Sequence, residues 1–168
     1  MNYLEDIYIL SHIKRYSTVH TIREESVAEH GYFVAAIVMK LHEYYNFDLG
    51  VAVQVAIAHD IPEMELNDVP RLIKNKYPAI AKAFKECEQE VKSQLPPSVQ
   101  VALDIYAETM PMESKIVHYA DAIQCEQFSL TEVKLGNKGY MDEVLIKSRE
   151  RIAHFNKILE PYRRKRNV

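Results

Sequence analysis

The chain has 168 residues, 48% of them apolar and 27% charged, with a net charge of −3. That length buries a core without cross-links, the composition excludes a disordered or fibrous chain, and the small negative charge excludes a broad basic face for a nucleic acid polymer. The two cysteines, Cys87 and Cys125, form no CxxC pair, which excludes a disulfide framework or a cysteine-rich zinc site and fits a reducing cytoplasm.

The first segment, "MNYLEDIYILSHIKRY", carries Glu5 and Asp6 inside its apolar part, so it is neither a signal peptide nor a membrane span. Residues 26–45 read as a helix. Ser26 with Glu29 three places on is a capping box, and Val34, Ile37, Val38 and Leu41 follow at helical spacing. Residues 49–60, "LGVAVQVAIAHD", have valines that alternate as in a strand. With helical patterns on both sides the segment is read as a buried helix. Pro62 disrupts a helix interior but suits a first turn, so Asp60-Ile61 marks a break and Pro62-Glu63 opens a new turn. A helix over 77–95 starts on Pro78 and stops before Pro96-Pro97. Residues 112–135 repeat apolar side chains at Ile116, Val117, Ala120, Ile123 and Phe128 up to Gly136, and 141–159 form an amphipathic helix ending before Pro161. With four glycines in all there is neither a P-loop nor a GxGxxG. The basic run "RRKRN" at 163–167 reads as a solvated end. The expected fold class is all-α, a bundle with short connections.

Some ionisable residues interrupt apolar faces. His30 lies one turn before Val34, Asp121 one turn after Val117, and His59 with Asp60 closes the Val/Ala/Ile segment. Each by itself reads more readily as a satisfied core histidine, a cap or an ion pair. Together they form a mixed imidazole–carboxylate set that suits Zn, Mn, Fe, Co or Ni and leaves positions open for water and substrate. Such an ion would also supply the charge that makes burying the His59-Asp60 doublet tolerable.

In "ESVAEH", "AIAHDIPE" and "HYADA" the chain resembles the HD-domain superfamily of metal-dependent phosphohydrolases. Within it, the chain is most similar to the small bacterial 5'-deoxynucleotidases and the phage enzymes that hydrolyse dATP. The resemblance is strongest over 10–135, with 136–168 a C-terminal helix and basic tail, and it implies a single HD domain over 1–168 with a metal site in its core. It implies that His30, His59, Asp60 and Asp121 bind a divalent transition metal (Co, Mn, Zn, Fe or Ni). Glu63 would position or activate the attacking water, and Asp68 would act as general acid or hold the leaving oxygen. Arg15 would grip phosphate, Tyr16 would stack on or wall off the base, Thr18 would meet the sugar near C2', and Lys74 would add charge near the phosphates. Two positions depart from the pattern: Tyr16 stands where bacterial relatives commonly have tryptophan, and His118 where many relatives have lysine. His118 would serve if protonated.

The expectation is therefore an enzyme that releases orthophosphate from deoxynucleoside 5'-monophosphates. A dNTP triphosphohydrolase releasing triphosphate from dATP is the nearest alternative, set apart by whether Lys74, Lys82 or Lys85 reaches extra phosphates. A non-catalytic nucleotide-sensing HD module is the alternative of another class, and a plain helical bundle is a third. The expected partners are a deoxynucleotide substrate and further copies of the chain in a homo-oligomer, with no nucleic acid polymer and no membrane. The expected location is the cytoplasm, the host's if the chain is phage-encoded.

Overall fold

The computed structural model describes residues 2–69 and 71–164; at positions 71, 72 and 75 it describes the backbone alone. Nine α-helical segments follow one another among these residues: α1 Tyr3–Asp6, α2 Val27–Leu41, α3 Leu49–Ala58, α4 Glu63–Leu66, α5 Arg71–Lys76, α6 Pro78–Gln94, α7 Pro97–Ala107, α8 Met112–Lys134 and α9 Tyr140–Leu159. A 3-10 turn, Ile7–Ser11, continues α1 and another, Glu160–Tyr162, follows α9. No strand forms among the described residues; the only extended pairings are isolated bridges between Lys14 and Ser26 and between Tyr45 and Arg163. The all-α expectation therefore holds.

Local chemistry accounts for the main boundaries. Ser26 accepts the Glu29 N–H at 3.1 Å while Glu29 Oε2 accepts the Ser26 N–H at 2.9 Å, the reciprocal cap expected at the start of α2. Asp48 caps α3 by accepting the Val51 N–H at 3.0 Å. The buried helix expected at residues 49–60 forms as α3, and its valines alternate as in a strand because more than one face of the helix is covered. Ala52, Val55, Ala56 and Ala58 are buried, and these small side chains let α2, α7 and α8 approach closely. The turn from α8 into α9 uses Gly136 and Gly139 at φ 100° and 81°, a backbone region open to glycine.

Three differences from expectation have simple causes. α2 stops at Leu41 rather than 45, and the chain turns so that Tyr45 packs inward. Pro96-Pro97 ends one helix but also starts another. Pro97 occupies the first turn of α7, where its missing N–H costs nothing, so a helix follows that the proline pair does not announce. Of the basic run 163–167, positions 165–167 lie outside the described residues, and the Arg164 N–H donates to Tyr44 O at 2.8 Å, tying this segment to the turn after α2.

The core gathers around α8, which packs against α2, α3, α7 and α9. Val34, Val38, Val55, Ile116 and Val117 are fully enclosed, and side chains of this kind each stabilise the fold by about 1.5–3 kcal/mol. Met141 and Leu145 press α9 onto the bundle. At the far end of α8 the buried Glu132 accepts backbone N–H groups of Ile22 and Arg23, each at 2.8 Å, and the Asn137 amide at 2.6 Å. That carboxylate staples the N-terminal loop to the α8–α9 turn.

Candidate active site

α2, the turn that follows α3 and the middle of α8 bring four side chains to one place in the core. His30 sits in the first turn of α2, where its N–H donates to Ser26 O. His59 is the residue after α3, and Pro62 keeps that helix from continuing. Tight turns carry the chain through Asp60 and Ile61 into α4, with the Ile61 N–H on Ala58 O and the Glu63 N–H on Asp60 O, both at 3.0 Å. In a continuous helix His59 and Asp60 would point about 100° apart. Here Asp60 Oδ2 lies 3.2 Å from His59 Nε2 and 3.6 Å from His30 Nε2. The two Nε2 atoms are 3.2 Å apart, and Asp121 Oδ1 is 3.4 Å from His30 Nε2.

This set fits a divalent transition ion. One donor atom from each of His30, His59 and Asp121 lies within 4.8 Å of the others, and an Asp60 oxygen lies against the two imidazoles of that group. Donors about 2.0–2.2 Å from a shared ion lie roughly 3–3.6 Å from one another. The His59 Nδ1–H is turned away onto Ala56 O at 2.7 Å, so its Nε2 lone pair faces the other donors. Glu63 Oε2 is buried beside the cluster without a hydrogen-bond partner among the described residues, an orphan acceptor of the kind a water or ligand satisfies.

Electrostatics separate the roles. Burial, helped by the Arg15 charge, lowers the His30 imidazole to about 3, so it is neutral and able to ligate. Burial opposes charge on His59, but the Asp60 carboxylate outweighs it and raises its pKa. Burial also opposes charge on Asp60 and Asp121. The His59 contact in the first case and Arg151 in the second hold both carboxyls well below the usual range. Glu63 moves the other way: burial, then the charges of Asp60 and Asp68, push it up to about 9. Asp68 is also raised, by burial. Carboxyls pushed apart in one cavity are what acid–base division of labour requires.

These groups line a cavity of about 370 Å³. Arg15, Tyr16, Glu63, Asp68 and Lys74 all border it with the four metal-type ligands. Tyr16 and Asn67 hold left-handed backbone, φ 59° and 63°, which costs about 1–3 kcal/mol per residue. The Tyr16 N–H points at Asp68 Oδ2 across 3.4 Å, and Asn67 Oδ1 accepts the Asp68 N–H at 2.8 Å, so both strained residues bear on Asp68. The Tyr16 ring stacks on Phe128 with centroids 5.2 Å apart and planes 6° from parallel. Lys74 Nζ lies 3.8 Å from Glu88 Oε1 and over the Phe84 ring.

Thr18 and His118 are not brought to the cavity wall. Thr18 is exposed in the turn beyond Tyr16. His118 Nε2 lies 3.1 Å from Tyr106 O, its ring 4.1 Å from that tyrosine's ring. Burial lowers its pKa, so the protonated form that would replace a lysine is disfavoured there.

Four further residues belong to the site's surroundings. Arg151 Nη2 donates to Asp121 Oδ2 at 2.7 Å. Tyr106, on the unexpected α7, lines the cavity with its ring 5.3 Å from that of His59. Glu25 and Gln124 are buried against Arg15 and His30. Gln124 had a visible signal, a polar residue three after Asp121 on the same apolar face. The other three had none in their local pattern.

Comparison with known proteins agrees with this geometry. Residues 2–160 match the family described as "5'-deoxynucleotidase YfbR-like". A 5'-deoxynucleotidase of Vibrio vulnificus is 32% identical over 139 residues, covering 74% of this chain and 71% of the relative. One of Vibrio cholerae is 28% identical over 176 residues, covering 89% of this chain and 87% of the relative. Among solved structures, protein PH0347 of Pyrococcus horikoshii superposes with a TM-score of 0.80 at 23% identity, over 95% of this chain and 93% of that one. An HD-domain phosphohydrolase of Listeria innocua superposes at 0.72 and 20% identity, over 95% and 85%. At such identities these structures establish the fold. The sequence match runs through nearly the whole chain, well beyond the His-Asp doublet, and this hydrolase therefore belongs to the YfbR-like 5'-deoxynucleotidase family.

Proposed function

We propose that this chain hydrolyses deoxynucleoside 5'-monophosphates to orthophosphate and the deoxynucleoside. The observation that carries the reading is the convergence of His30, His59, Asp60 and Asp121 through 3.2–3.6 Å contacts, beside a half-buried Glu63 whose Oε2 is enclosed and without a partner among the described residues. Those four residues would hold a divalent ion (Co, Mn, Zn, Fe or Ni), which when bound polarises a phosphoryl oxygen and lowers the pKa of its water to about 7. Glu63 is protonated at neutral pH in the metal-free cavity; with the ion's charge beside it, it would ionise and take the proton of the attacking water. Asp68, its pKa raised, returns a proton to the departing 5' oxygen. Arg15, Arg151 and Lys74 bring positive charge to the phosphate. Tyr16, backed by Phe128, walls the base. Thr18 and His118 have no part in this arrangement.

The cavity volume suits one small nucleotide. Of the three lysines that would serve extra phosphates, Lys74 borders the cavity, but Lys82 has 81% of its side chain exposed and pairs with Glu86, and Lys85 is exposed. Among the described residues no helix is long and apolar enough to cross a membrane; a cytoplasmic location belongs to the proposal. So does self-association, which the exposed Tyr32, Phe33 and Met39 on α2 support and which sedimentation tests.

The deciding experiment is product analysis. The purified protein is incubated with Co²⁺ or Mn²⁺ and dAMP, dGMP, dCMP, TMP, AMP or dATP, and products are read by mass spectrometry. The expected products are orthophosphate and deoxynucleosides from the deoxynucleoside monophosphates. Triphosphate and deoxyadenosine from dATP alone would overturn the reading, as would silence from a metal-loaded protein.

A further inference from the structure

We infer that Glu25 and Gln124 are positioning residues for His30, forming a two-step hydrogen-bond relay that fixes which imidazole nitrogen is bare. Both are almost fully buried, 2% and 5% exposed, as is His30 at 1%. They come from distant parts of the chain: the loop before α2 and the middle of α8. Three polar groups enclosed together must satisfy one another, because an unpaired buried donor or acceptor is costly.

The order of the bonds follows from donor and acceptor chemistry. The Gln124 amide lies 2.5 Å from Glu25 Oε1. A carboxylate only accepts, so the amide must present its NH₂ group there. Its other atom, Oε1, is then the one facing His30 Nδ1 at 2.8 Å. An amide oxygen only accepts, so Nδ1 carries the proton. Nε2 is left with its lone pair toward His59, Asp60 and Asp121, the state a metal ligand needs.

Arg15 locks the relay from the side. Its Nη1 lies 2.9 Å from Glu25 Oε2 and 3.1 Å from Gln124 Oε1. The two hydrogens on that nitrogen therefore have acceptors, although His30 Nδ1 is only 2.6 Å away. The rival arrangement has Arg15 donating into Nδ1. That would put the proton on Nε2 and aim it at the other donors, where no metal could be taken up. Glu25 decides between the two together with Arg15, because a flipped Gln124 amide would turn its oxygen to the Glu25 carboxylate and its NH₂ to the guanidinium. His59 reaches the same state more simply, through the backbone carbonyl of Ala56.

This inference rests on the metal-site reading but not on the identity of the substrate. The test uses the full chain with ¹⁵N-labelled histidine, first without metal. The expected spectrum has His30 as the Nδ1–H tautomer; an Nε2–H tautomer would overturn the proposal without any variant. Second, Mn²⁺ affinity is measured by calorimetry. Gln124→Leu should weaken it by about 10–100-fold, the usual effect of losing an outer partner, and should shift the His30 tautomer. The swap of Glu25→Gln with Gln124→Glu keeps one donor, one carboxylate and the net charge, and should recover most of both readouts. Unchanged affinity and tautomer in a Gln124→Leu protein of normal helicity would refute the relay. Failure of the unaltered protein to bind Mn²⁺ would strike the metal site itself, while the tautomer would still decide the relay.

Discussion

His30 Nε2 and His59 Nε2 face each other at 3.2 Å in the middle of the bundle, each on a different helix end. Their Nδ1 atoms are both occupied elsewhere, on Gln124 and Ala56. Two nitrogens directed at each other with two carboxylate oxygens beside them form a hole for a cation. This is why a histidine and an aspartate stand together at the end of the most apolar stretch of the chain.

Asp60→Ala removes the oxygen that approaches both imidazoles. Mn²⁺ or Co²⁺ binding should fall by more than the roughly 100-fold that loss of an outer partner costs, and activity should vanish while far-ultraviolet circular dichroism keeps its helical signal. Normal activity in this variant would show that the metal lies elsewhere.

Glu63→Gln tests the base separately from the metal. Metal affinity should survive and kcat should drop by about 10²–10⁴-fold; an unchanged kcat removes the role. The metal-free protein offers a second readout. Glu63 has its pKa raised to about 9 by burial and by Asp60 and Asp68, so the folded state holds a proton that the unfolded state has released above its usual value near 4.5. Stability due to this group therefore falls as pH rises between those values. Glu63→Gln removes that loss, so it should stabilise the metal-free protein at pH 8 by on the order of a few kcal/mol and have little effect near pH 4.5, as read by urea unfolding.

Arg151→Met keeps the length of the side chain but takes its charge from Asp121 Oδ2. Asp121 would keep its place on α8 with one oxygen unpartnered. Metal affinity should weaken by about tenfold, and kcat/KM should fall further than metal affinity if Arg151 also meets phosphate. Equal metal binding together with an unchanged kcat/KM would confine Arg151 to packing.

Glu132→Gln probes the staple between the N-terminal loop and α8. Burial raises the carboxyl's pKa, but the Asn137 amide and the Ile22 and Arg23 N–H groups outweigh it and leave it below the ordinary 4.5. Its contribution is thus present above about pH 4.5 and is lost as pH falls through the lower, folded-state value. The variant should be less stable than the unaltered protein by about 1–3 kcal/mol at pH 7. The gap should close in acid, and a pH-independent gap would point to packing instead of charge.

Much of this was legible along the chain because it depends on near neighbours. Helix starts at Ser26 and Pro78, the break at Pro62 and the apolar faces of α2, α8 and α9 follow from capping, proline geometry and a 3.6-residue period. The metal-type set was visible as polar residues stranded on those faces. What no local pattern carries is which distant side chains become partners. Gln124 meets His30 across 94 positions, Arg151 meets Asp121 across two packed helices, and Tyr106 enters through a helix hidden behind Pro96-Pro97. The same holds for Thr18 and His118, whose place in a linear motif suggested a site that the fold turns away from them. A hydrogen bond forms only when packing sets two groups within about 3 Å, and that placement comes from the whole bundle closing around α8.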